Sequence, residues 1–387
     1  MALSHVKETK KETLLKLVLI LGIAANLSLL FYFKYTDFYI YNVNLVFDSE
    51  IPYKNIILPI GISFFTFQLI AYLVDSYRGE TKGYGLINYL MFITFFPQLI
   101  VGPIVHHKDV VPQYQSIKRA LPSYKNIAKG SFLFFLGSTK KLLMADPLSE
   151  VAQKAFDHAQ SLNMVESWFA SISYTLSYYF DLSGYADMAL GLGIIFGILL
   201  PMNFNSPYKA RNFADYWRRW HITLSKFLGD YIFRNIFNKN KGELNFYFAI
   251  FITFLVSGFW HGAGWTFVVW GIINGIFVIA SHMMIKAKIS LPFVIAWALT
   301  FLGIVGTRIL FVSNDFSDAT HVLMQLINFA EPLSLTNTYT SIKQPFYIVI
   351  GMIIVLFFPN SGKILEKFKP NYKFMMVTAV LVTASLL

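Results

Sequence analysis

The chain has 387 residues, 56% of them hydrophobic and 14% charged, a net charge of +11 and no cysteine. Soluble domains carry roughly 45–50% apolar and about 25% charged residues, and the apolar residues here fall in blocks of roughly 17–25, the length that crosses about 30 Å of hydrocarbon. This excludes a water-soluble globule, disulfides, thiolate metal sites and a Cys-linked acyl intermediate, and the lack of long Lys/Arg runs excludes nucleic-acid binding in favour of lipid head groups.

A polar leader at 1–13 precedes an apolar stretch at 14–33 without an A-x-A-type cleavage site, which reads as an anchor, not a removed signal peptide. Further spans are expected over 54–74, 86–104, 127–144, 166–200, 245–260, 263–285, 291–312, 345–358 and 373–387. Around 86–108, Pro97 and Gly102-Pro103 break the block and suggest a re-entrant segment, a form tolerated in membranes only when buried in protein. The 166–200 block is too long for one straight span, and Gly184 is its natural break point. No soluble domain or repeat interrupts the pattern, so residues 1–387 read as one membrane-embedded domain of all-α, polytopic type.

The loops differ in charge. The 34–55 loop carries Asp37, Asp48 and Glu50 against Lys34 and Lys54, and the 313–344 loop holds Asp315, Asp318 and Glu331 against Lys343. The 203–242 segment carries Lys209, Arg211, Arg218, Arg219, Lys226, Arg234, Lys239 and Lys241, and the positive-inside rule puts it and the N-terminus in the cytoplasm.

Three stretches carry candidate chemistry. From Asn212 to Ser225 and beyond, Phe213, Trp217, Trp220, Leu224, Phe227 and Tyr231 recur at spacings of three and four, giving one apolar stripe on a helix at the membrane interface. That helix is either a plain anchor or, because His221 is flanked by two Trp and two Arg, the wall of a cavity. The segment Ser257–Trp265 places His261 in apolar surroundings, where an imidazole needs a partner or a cavity; it either serves chemistry or bridges two helices. The glycines at 258, 262 and 264 permit close approach.

A hydroxyl needs a base to take its proton as it attacks an acyl thioester, and His has a suitable unperturbed pKa. His221, Asn212 or the neighbouring arginines are candidates to position the acceptor or hold the oxyanion. Third, Asp181 and Asp187 lie in the 166–200 block and read as structural or tunnel-lining, while Gly191, Gly193 and Gly197 read as helix packing. His5, His106, His107, His158, His282 and His321 lie near ends or in loops, and no spacing gives a metal site.

Four segments together resemble the membrane-bound O-acyltransferase (MBOAT) family, in its bacterial branch: FFPQLIVGPIVHHKDVVPQ (95–113), YYFDLSGYADMALGLG (178–193), NFNSPYKARNFADYWRRWHITLSKFLGDYIF (203–233) and SGFWHGAGWTFVVWG (257–271). The resemblance runs from about residue 14 to Pro359-Asn360-Ser361. It implies a ring of tilted helices with re-entrant segments around a central tunnel. It implies His261 as the catalytic histidine through the WHG match and His221 as the second site residue through RRWHxxLS. It further implies a cytoplasmic acyl donor, acetyl-CoA, with no permanently bound cofactor, an extracytoplasmic partner of SGNH-hydrolase type and a cell-surface polysaccharide as final acceptor.

Relatives in this branch carry further helices before the segment matching 14–33, so the chain is expected to be either a compact member or a piece of a longer one. The expectation is thus an inner-membrane O-acetyltransferase. His261 is its general base, His221 positions donor or acceptor, Arg218 and Arg219 attract coenzyme A phosphates, and Asn212 and Trp217 line the donor site. The competing expectations are a transporter or channel using its Asp and His residues as a proton path, and an acyltransferase acting on a lipid or protein.

Overall fold

The computed structural model describes residues 2–99, 102–114, 123–330 and 344–386, with side chains from residue 11 onward. Their regular structure is helical, with no strand among the described residues. Glu331 and Lys343 of the 313–344 loop, and the His5 side chain, lie outside the described set. The chain forms two compact units, 1–120 and 121–387.

In the first unit, α1 (Ala2–Phe47) is a single 46-residue helix. The expected 34–55 loop is therefore helical up to Phe47, because no Gly or Pro interrupts residues 23–51. Helix α2 (Ile62–Tyr77) packs on α1 where a Cβ at Gly22 would lie 3.0 Å from Leu73. Helix α3 (Leu86–Thr94) has nine residues and is too short, at about 14 Å, to cross a bilayer. It ends at an extended Phe95 and a 3₁₀ turn containing Pro97, the break located from sequence, and α4 (His107–Tyr114) follows.

In the second unit, α5 (Tyr124–Thr139) continues through a π-helical turn, Lys140–Ala145, into α6 (Asp146–Phe156). Helix α7 (Met164–Ile195) opens on an Asn163/Glu166 capping box and runs unbroken for 32 residues. Gly184 is thus a contact and not a break. A Cβ at Gly137 would lie 2.4 Å from the Gly184 carbonyl oxygen, and one at Gly130 would lie 2.4 Å from that of Gly191. The glycines let the α5 and α7 backbones touch, as small residues do between membrane helices.

Helices α8 (Phe213–Arg219) and α9 (Ile222–Leu228) are short. Then come α10 (Gly242–His261), α11 (Trp265–Lys286) and α12 (Phe293–Val312), all within segments apolar and long enough to cross a membrane, as α1 is. The chain is a multi-pass membrane protein by these helices. Gly258 and Gly271 bring α10 and α11 together; a Cβ on Gly258 would lie 2.5 Å from the Phe267 carbonyl oxygen. Helices α13 (Phe316–Gln325), α14 (Gln344–Phe357), α15 (Ser361–Glu366) and α16 (Tyr372–Leu386) complete the described unit.

Candidate active site

The stripe from Phe213 to Tyr231 does not form one interfacial helix. It breaks at Trp220, which is extended, and at His221, whose φ of 45° is left-handed. A non-glycine residue there costs on the order of 1–3 kcal/mol and persists only where its surroundings impose it. The imposing element is Asn203. Its carbonyl accepts from Ile222 N at 2.9 Å, and its Oδ1 accepts from Thr223 N at 3.2 Å and Thr223 Oγ1 at 3.0 Å. Asn205 N also donates to the Arg219 carbonyl. The break folds Trp220 and His221 inward, so both are buried, Trp220 stacked on Tyr178 and Tyr216 at 5.7 and 5.6 Å. Burial, with the Arg308 guanidinium nearby, pushes the His221 imidazole down to about 3, so it is neutral at ordinary pH.

His261 is the last residue of α10 and partly buried. Its ring meets Trp260, Trp270 and Phe311 edge to face at 4.8, 5.0 and 5.2 Å. The turn beyond it requires glycine, since a Cβ at Gly262 would overlap the Phe267 ring at 2.1 Å. Phe311 also connects the histidine to a residue that sequence reasoning missed, Arg308 in the C-terminal third of α12. Its Cζ lies 4.4 Å from the Tyr178 centroid, 4.5 Å from Trp220 and 5.5 Å from Phe311, and its Nη2 donates to Tyr216 Oη at 3.2 Å. Arg308 is only 2% exposed. The available signal was an arginine inside an otherwise apolar span.

The other sequence candidates spread outward from this core. Trp217 packs on Trp270 at 5.6 Å and, with Arg218, Ser225, Ser257 and His282, lines a cavity of about 460 Å³. Its Nε1 is buried without an acceptor among the described residues. Arg218 is largely exposed and shares Asp215 with Arg219, at 3.4 and 3.0 Å. Asn212 caps α8 by accepting from Asp215 N at 2.8 Å and borders a separate cavity of about 330 Å³. The structure therefore brings Trp217 and His261 onto one shared ring, Trp270, and places His221 beside them through its chain neighbour Trp220, whereas Asn212 stands apart.

The membrane acids are paired. Asp187 binds Lys140 at 2.6 Å and accepts from Ser361 Oγ; Asp181 binds Lys141 at 2.6 Å, which also reaches Asp146. In the first unit, ligand atoms of Asp75, Glu80 and His107 lie within 4.8 Å of one another, a cluster that sequence spacing did not reveal. Lys108 pairs with Glu80, and Arg78 and His107 with Asp75, so nearby basic side chains already face both carboxylates.

The model of the membrane-bound O-acyltransferase family matches residues 7–313. The chain is 41% identical over 351 residues to the peptidoglycan O-acetyltransferase of Helicobacter pylori, covering 83% of this chain and 67% of that protein. It is 34% identical to the probable alginate O-acetylase AlgI of Pseudomonas putida, covering 81% and 65%. Against the same-named protein of Pseudomonas aeruginosa the identity is also 34%, covering 80% and 60%. The chain thus spans about two thirds of the length of these relatives. The helical architecture, the RRWH and WHG segments converging through Trp220, Phe311 and Trp270, and the match over 7–313 lead to one assignment: the chain belongs to the membrane-bound O-acyltransferase family.

Proposed function

We propose that this chain is a membrane O-acyltransferase that passes an acetyl group from a cytoplasmic thioester, acetyl-CoA, toward hydroxyls of an exported cell-surface polysaccharide. In this reading residues 1–387 work as one membrane-embedded catalytic domain in the cytoplasmic membrane of a bacterium, with the His221 segment on the cytoplasmic side and the helices ringed around a tunnel. An extracytoplasmic partner of SGNH-hydrolase type receives the acyl group.

His261 is the general base. The observation that carries this role is its position at the end of an apolar helix, walled by Trp260, Trp270 and Phe311, where an imidazole is retained at a desolvation cost. A dry site strengthens every electrostatic interaction with the developing charge. His221, held neutral and in a strained backbone conformation, positions donor or acceptor by hydrogen bonding. Arg218 and Trp217, on the 460 Å³ cavity, are the donor-site candidates, with Arg219 beside them and Asn212 holding α8 in place.

The names of the relatives support acetyl transfer to a glycan. A transporter using Asp187 as a proton carrier has less support, because that carboxylate is occupied by Lys140 and Ser361. The test is the acetyl-ester content of extracellular glycans in cells carrying wild-type protein or His261→Ala at matched membrane levels. Loss of esters from one polymer is expected and identifies the acceptor. Unchanged esters on every polymer would move the lipid, protein and transport readings ahead.

A further inference from the structure

Arg308 is a full positive charge in the C-terminal third of an apolar helix, and it lacks what buried charges normally have. Among the described residues no carboxylate pairs with it; its polar neighbours are tyrosine hydroxyls, and its face contacts are the Tyr178, Trp220 and Phe311 rings. Ring faces offset part of the desolvation cost. They do not neutralise the charge, and a hydrophobic side chain of similar length would fill the space at lower cost.

The position is specific. Trp220, on one side, is chain neighbour to His221, and Phe311, on the other, packs on the His261 ring at 5.2 Å. Arg308 is therefore a fixed cation packed on the chain neighbour of His221 and on a ring that touches His261.

We propose that Arg308 supplies the standing positive charge of the reaction centre, stabilising the oxyanion that forms when the acceptor hydroxyl attacks the thioester carbonyl. The inference rests on the acyl-transfer reading above. In the step, His261 takes the hydroxyl proton while the oxygen–carbon bond forms and the carbonyl electron pair moves onto its oxygen. The oxyanion then collapses, the carbon–sulfur bond breaks, and the proton passes from His261 to the departing thiolate. Negative charge grows on the carbonyl oxygen and then on sulfur, and neither histidine supplies a permanent countercharge. Arg308 acts through space in a low-dielectric interior, as a positioning charge. Its ring neighbours hold it in place, so no reorganisation is needed as the reaction proceeds.

The test uses the purified full chain in nanodiscs with a hydroxyl-bearing oligosaccharide supplied as acceptor, thiol release from acetyl-CoA as the rate and thermal unfolding measured in parallel. Arg308→Met is expected to lower kcat by about 10²-fold, leave KM for acetyl-CoA within about threefold, and keep or raise Tm, since it removes an unpaired buried charge. Arg308→Lys, which keeps the charge, recovers a measurable part of kcat. Arg308→Met with kcat near wild type overturns the proposal. So does a Tm that falls in both variants together with kcat, because a packing role produces that pattern. His261→Ala and the wild-type protein are the separate arms: retained thiol release in His261→Ala removes the base role of His261, and no thiol release by the wild-type protein means that the acyl-transfer reading itself fails, whatever Arg308 does.

Discussion

Lys140, partly buried, and Arg308, buried, are both cations inside the same helical unit, and the fold treats them in opposite ways. Lys140, on the π-helical turn after α5, meets Asp187 at 2.6 Å and Ser361 Oγ at 2.7 Å. Ser361 in turn donates to Asp187, closing a three-membered network. Arg308 has tyrosine hydroxyls and aromatic faces and no acid. A cation with its own carboxylate is what helix packing requires when a charge must be inside. A cation without one costs stability, and this one packs on rings adjacent to the two histidines that the family resemblance marks. The contrast separates a structural polar cluster from the proposed reaction centre more sharply than burial does, since little of either cation is exposed.

The comparison breaks most readily at Asp187. Asp187→Ala leaves Lys140 facing Ser361 alone in a mostly buried place, and removing one partner of such a pair costs about 3–5 kcal/mol. A large drop in the unfolding temperature of the nanodisc-embedded protein is expected, with turnover per folded molecule retained. Unchanged stability combined with lost turnover would place Asp187 in the reaction and reverse the contrast.

A smaller effect sharpens the same point. A Cβ at Gly137 would lie 2.4 Å from the Gly184 carbonyl oxygen and 3.0 Å from Asp187 Cβ. Gly137→Ala should therefore push α5 from α7 and loosen the Lys140–Asp187 pair, costing about 1–3 kcal/mol in stability as overpacking does. Equal stability of Gly137→Ala and wild type would mean that the α5–α7 contact does not hold the cluster.

Much of the fold is legible in the sequence because apolar block length is a direct consequence of bilayer thickness. The blocks at 245–260, 263–285 and 291–312 correspond closely to α10, α11 and α12. The break at Pro97 follows from proline chemistry. Gly184 reads as a hinge from sequence alone because a glycine's role depends on what lies opposite it, and here that is the Gly137 carbonyl.

The site is less legible. A stripe at spacings of three and four predicts a continuous helix over 213–231, but the left-handed turn at His221 is imposed by Asn203, some eighteen residues earlier. No local propensity encodes that clamp. Arg308 was readable as a lone charge in an apolar span, whereas its lack of an acid partner becomes visible only once Tyr178, Tyr216 and Trp220 are placed around it.

The most direct test of the account is thiol release from acetyl-CoA, with a hydroxyl-bearing oligosaccharide supplied as acceptor, by the purified wild-type chain and by His261→Ala, each in nanodiscs at equal folded concentration. The account predicts that the substitution lowers the rate by about 10²–10⁴-fold, the contribution of a general base, while unfolding temperature stays near that of wild type. Equal rates in the two proteins would contradict it and leave His261 as a packing residue among Trp260, Trp270 and Phe311.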